Sequence, residues 1–89
     1  MVGYYIVVYD INEKRVAKVH KILREYLQWR QRSVFEGWLR EEELTELMRK
    51  LSAVINEEED SVLFYRLPSE KVIHSFHIGR PPDKFDNVI

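Results

Sequence analysis

The chain contains no cysteine, which excludes disulfides and thiolate metal sites. Its three glycines (Gly3, Gly37, Gly79) are too scattered to form a phosphate-cradling loop. No Gly-x-Ser-x-Gly elbow exists, and Ser33 has no histidine in its own strand. The longest unbroken apolar run covers residues 4–9. A membrane span needs about 20 residues and a signal-peptide core about 7–15. These absences lead us to expect a soluble, unexported, cytoplasmic protein that makes no membrane contact. Histidine is also scarce. His74 and His77 are three apart on an expected strand, so they point to opposite faces and do not share a metal. They and His20 read as structural or surface groups. The aromatic signature of RNA-recognition sheets (basic-Gly-aromatic-Gly-aromatic) is missing too.

What is present fits one small domain of 89 residues. A chain this short buries roughly 60–65% of its extended surface, so a dimer would add needed burial. The net charge of −1 hides a split. Residues 12–32 carry seven bases against two acids, and residues 36–60 carry nine acids against three bases. That division suits either a phosphate-facing surface or two solvated helix faces.

Residues 4–9 are β-branched and aromatic, as in a central strand buried on both faces. The strand stops at Asp10, and Asn12 is a suitable N-cap for a helix over residues 13–28. That helix has an apolar stripe (Val16, Val19, Leu23, Leu27) and a basic remainder (Lys14, Arg15, Lys18, Lys21, Arg24). Residues 31–39 read as a second strand, bent or bulged at Gly37 and open to division in two. A second helix covers residues 41–55, with Glu41, Glu42 and Glu43 at its positive end. Strands follow over residues 61–67, ended by Pro68, and residues 72–78. The tail after Pro81-Pro82 keeps Phe85, Val88 and Ile89, as a swapped edge strand would. The order is strand–helix–strand–helix–strand–strand, or βαββαβ if the second strand is divided, so the fold class is α/β (α+β), ferredoxin-like, with two helices on one face of the sheet. Residues 1–80 form the domain and 81–89 the tail.

Asp10 is the first candidate for chemistry. It lies at the carboxyl end of a central strand, where sites in open sheets gather. A carboxylate beside bases can hold Mg²⁺ near phosphate. A two-fold axis joining two copies would double the ligands. Asp10 equally suits a residue that ends a strand and starts a turn. The bases of the first helix, Arg15 above all, suit either phosphate contact or solvent. Trp29, Trp38 and the tyrosines suit base stacking or the core.

Several segments together carry a resemblance. They are Tyr9-Asp10-Ile11 after a Val-rich strand, Arg15-Val16, Gln31-x-Ser33-Val34-Phe35-Glu36-Gly37, and Asp60-Ser61-Val62 before Tyr65. In order and spacing, the chain resembles the second CRISPR-associated protein family of the adaptation module over residues 4–67. The resemblance implies a ferredoxin-like homodimer joined through antiparallel sheets, with C-terminal strands crossing between protomers. Asp10 would be the metal and catalytic residue, coordinating Mg²⁺ or Mn²⁺ between subunits. Arg15, Arg30 and Arg32 would bind nucleic acid, and Tyr9, Ser33 and Phe35 would shape the site. Trp29 departs from the pattern, which commonly has a small residue there. Arg30 is one place from the expected base.

The implied activity is a divalent-metal-dependent endonuclease acting on RNA or double-stranded DNA. The implied partners are nucleic acid and the CRISPR integrase subunit, and the tail over residues 81–89 is the segment we expect to dock the latter. Two other readings stay open: a non-catalytic DNA scaffold, and a toxin-type ribonuclease of the same fold outside CRISPR.

Overall fold

A computed structural model describes residues 2–67 and 74–80. Strand β1 runs Val2–Asp10 and helix α1 Glu13–Arg24. Strands β2 and β3, Gln28–Gln31 and Val34–Arg40, form a hairpin. Helix α2 follows at Glu41–Val54, then β4 at Ser61–Leu67 and β5 at His74–Gly79. The strands make one sheet, β2-β3-β1-β4-β5, with every neighbour antiparallel. Its first four strands and two helices are the expected βαββαβ plan, and β5 extends the edge beyond β4.

Strand β1 lies at the centre, paired with β3 on one side and β4 on the other, and its side chains alternate between two surfaces. Tyr5, Val7 and Tyr9 are buried against Val19 and Leu23 of α1 and Leu47 and Leu51 of α2. Phe35 and Phe64 join them and are fully buried. Removing the Phe35 ring is expected to cost about 3–5 kcal/mol. Tyr4, Ile6 and Val8 point the other way and stay half-buried. Burial on both faces was expected, but the helices cover only one side. The open face is still apolar, with Trp38 64% exposed and packed edge-on to Tyr4.

Helix α1 starts where Asn12 Oδ1 accepts the Lys14 N–H at 2.9 Å. It stops near Arg24, not residue 28. The Tyr26 and Leu27 N–H groups both turn back to the Leu23 carbonyl. This drives Leu27 into the core and frees Gln28 to start β2. The expected strand over residues 31–39 is divided by a turn at Arg32 and Ser33, with Arg32 in the left-handed region at φ 42°. The register shift falls between Trp29 and Gln31, not at Gly37. Gly37 instead makes room for Leu27, whose Cδ2 would lie 3.1 Å from an added Cβ.

Helix α2 matches its expected span to within one residue. Glu43 accepts the Arg40 N–H at 2.8 Å. Among the described residues, no helix is long and apolar enough to cross a membrane. Pro68, Val72 and the tail at residues 81–89, with its expected strand swap and docking role, lie outside the described residues.

Candidate functional site

Asp10 ends the central strand with its side chain 62% exposed. Opposite it on β4 is Ser61, and opposite Ser61 on β5 is Gly79. Gly79 has φ +89°, and a Cβ there would stand 2.1 Å from the Asp60 carbonyl oxygen. Only glycine lets the chain pass this closely. The next residue is thereby pinned. Arg80 donates its backbone N–H to the Asp60 carbonyl at 2.8 Å and its Nε–H to the Glu59 carbonyl at 3.0 Å. Its terminal nitrogen reaches Asp10 Oδ2 at 2.6 Å.

Beneath this pair lies Asp60, a fully buried carboxylate. It accepts the N–H groups of Asn12 and Asn56, each at 2.8 Å. Arg15 adds Nε at 2.6 Å and a terminal nitrogen at 3.1 Å. Burial would raise the Asp60 carboxyl, but hydrogen bonds from Arg15, Asn56 and Asn12 bring it down to about 2. Hydrogen bonds to Asp60 and then Glu59 hold the Arg15 guanidinium charged, well above its ordinary value. Arg15 also reaches Glu59 at 2.8 Å. The basic and acidic stretches of the chain therefore neutralise one another here. Asp60 fastens the start of α1 and, through its own carbonyl, the end of β5.

The other expected site residues fall into two groups. Tyr9, Ser33 and Phe35 meet at the end of β1. The Ser33 carbonyl accepts the Tyr9 N–H at 3.1 Å, and Tyr9 packs against Phe35 with centroids 6.1 Å apart. Arg30 and Arg32 are not drawn to Asp10 by any described contact. Arg30 pairs with Glu36 across the hairpin. Arg32 is exposed at the turn, where its carbonyl accepts the Trp29 Nε1–H at 2.9 Å.

Asp10 offers a hard oxygen ligand suited to Mg²⁺ or Mn²⁺. Among the described residues, no three of His, Cys, Asp or Glu gather around an ion. Asp60 is closed by its four hydrogen bonds. Asp10 by itself is one carboxylate, which fits half of a shared site. The sequence reading missed Arg80 and the buried role of Asp60. Asp60-Ser61-Val62 carried a motif signal for the second. Nothing local marks the first.

A family model described as "CRISPR associated protein Cas2" matches residues 1–73. The chain belongs to the Cas2 family. A relative from Thermotoga maritima, named CRISPR-associated endoribonuclease Cas2, is 50% identical over 76 residues, covering 85% of this chain and 87% of that one. A protein of the same name from Dictyoglomus turgidum is 40% identical over 86 residues, covering 97% and 99%. The fold is similar to a solved structure described as "Crystal structure of cas2", with TM-score 0.75 and 44% identity, covering 93% of this chain and 95% of that chain. A hypothetical protein from Thermus thermophilus gives TM-score 0.74 at 28% identity, covering 93% and 100%. Membership of the Cas2 family and the α+β fold, a five-stranded antiparallel sheet with two helices, agree with the resemblance read from the sequence.

Proposed function

We propose that this Cas2 protein is a homodimeric, divalent-metal-dependent endoribonuclease of CRISPR adaptation that also scaffolds the integrase subunit on DNA. The observation that carries the reading is Asp10, an exposed carboxylate at the end of the central strand, beside a pinned arginine. The names of its relatives support ribonuclease action. The half-buried apolar face of Tyr4, Ile6, Val8 and Trp38 supports pairing with a second copy. Burial of such a face is a strong drive to association.

Asp10 of each copy would hold an ion of the Mg²⁺ or Mn²⁺ class. When bound, such an ion neutralises phosphate charge and activates water for in-line attack. Arg80 keeps the Asp10 carboxylate oriented and supplies positive charge where a phosphate arrives. Tyr9, Ser33 and Phe35 fix the strand end that carries Asp10. Arg15 acts by ordering Asp60, and Arg30 and Arg32 lie on the hairpin as phosphate contacts.

The Asp10–Arg80 ion pair favours a second reading, in which Asp10 only anchors the end of β5 in a non-catalytic scaffold. Cleavage of single-stranded RNA and duplex DNA, with wild type and Asp10→Asn across a divalent-ion titration, separates the two. Metal-dependent cutting that vanishes in Asp10→Asn supports the enzyme. Equal cutting by both proteins refutes the role of Asp10, and no cutting by wild type leaves the scaffold.

A further inference from the structure

Trp29 is 53% exposed although it is one of the largest apolar side chains in the chain. Its Nε1–H is already satisfied by the Arg32 carbonyl, so the ring is pinned to the β2–β3 turn with its apolar surface towards water. His20 of α1 lies 5.9 Å away, tilted by 59°. His20 is itself fixed by an edge-on contact with the buried Phe35 at 4.9 Å. The two rings, with Arg24, Leu27 and Gln28, line a cleft of about 470 Å³, within the range of small-ligand sites. A second space of about 320 Å³, lined by Ala17, His20, Lys21 and Arg24, shares His20 and Arg24 with it.

The charge around this cleft is unbalanced. Lys14, Lys18, Lys21 and Arg24 are exposed on α1, and successive members are three or four residues apart, so they follow one side of the helix. Among the described residues, none of the four is in an ion pair. By contrast, Arg15, Arg30, Lys50 and Arg80 all have carboxylate partners. Holding uncompensated cations beside a rigid exposed aromatic ring contributes little to folding. Together they form the arrangement that binds a single nucleic-acid strand, with cations on phosphates and a ring on a base.

The geometry points to the Trp29–His20 cleft as a binding site for an unpaired nucleobase of a single strand whose backbone runs along Lys18, Lys21 and Arg24. The base stacks on Trp29, with Arg24 at its rim. The Arg32 carbonyl that holds Trp29 also lies 3.5 Å from the Tyr9 hydroxyl, which joins the cleft to the helix-covered side of β1. This base site rests on reading the protein as one that handles nucleic acid, but not on metal or cleavage.

The test is fluorescence anisotropy with a labelled single-stranded oligonucleotide and an abasic strand of equal length. Wild type is expected to bind the base-bearing strand about tenfold more tightly than the abasic one. Trp29→Ala is expected to erase that difference and Trp29→Phe to restore most of it, with circular dichroism unchanged because the ring is exposed. Equal affinity of wild type for both strands, or unchanged discrimination in Trp29→Ala, overturns the base site while leaving the nucleic-acid reading standing. Failure of both strands to bind overturns both.

Discussion

Arg80 donates to Asp10 Oδ2 at 2.6 Å and ties the end of β5 to the end of β1. The pair is solvent-accessible, with side chains 31% and 62% exposed, so its net stabilisation is below about 1 kcal/mol. Its consequence is competition, since the guanidinium occupies an oxygen that a divalent ion would take.

Removing that competitor is therefore expected to help the ion. Arg80→Gln should tighten Mn²⁺ binding by about two- to fivefold, read by electron paramagnetic resonance of free Mn²⁺. The same variant should cut RNA more slowly at saturating ion, because the charge beside the phosphate is lost. Weaker ion binding in Arg80→Gln would show that Arg80 assists the ion and does not compete with it.

Asp60 makes the fold acid-sensitive. Its carboxyl ionises near 2 in the folded chain, below the ordinary 3.8. The ionised group therefore stabilises the fold fully above about pH 4, and this support fades as pH falls towards 2. The contribution is about 2 kcal/mol. Urea unfolding at stepped pH should show the loss in that window. Asp60→Asn should flatten it and cost about 3 kcal/mol at neutral pH, because Arg15 loses its buried partner.

At Gly79 the backbone has no spare room. Gly79→Ala combines a left-handed φ of +89° with a Cβ 2.1 Å from the Asp60 carbonyl oxygen. A loss of at least about 2 kcal/mol in chemical unfolding is expected. Hydrogen exchange should rise first along β5, and a change confined to other strands would contradict the assignment.

The open face of the sheet should control assembly. Trp38→Lys puts a charge where two apolar surfaces are expected to meet, so light scattering should report a monomer. A Trp38→Lys protein that remains a dimer would move the interface elsewhere. The substitution should leave monomer secondary structure intact, because Trp38 is 64% exposed.

Local patterning made β1, α2 and β4 legible, because the two strands are short unbroken apolar runs and the helix repeats its apolar residues every three to four. It failed at residues 25–33, where Tyr26 and Leu27 continue a helical spacing but serve a turn into the core. Nor does local patterning show the contact of Arg30 with Glu36, which lies across the hairpin. Asp10 could be picked out from its place at a strand end. Arg80 could not, since Asp10, Glu59 and Asp60, which it contacts, lie 20 to 70 residues away in sequence and only the sheet topology brings them together. Asp60 stood out only through the Asp60-Ser61-Val62 motif; that it is buried while its neighbours Glu57, Glu58 and Glu59 are exposed is set by the folded chain.

The ratio of bound Mn²⁺ to protein chain, measured by calorimetry, tests the shared Asp10 site most directly. The account expects a single ion for each pair of chains, with binding abolished by Asp10→Asn and the dimer preserved. Undiminished Mn²⁺ binding in Asp10→Asn, or one independent ion on every monomer, would contradict it.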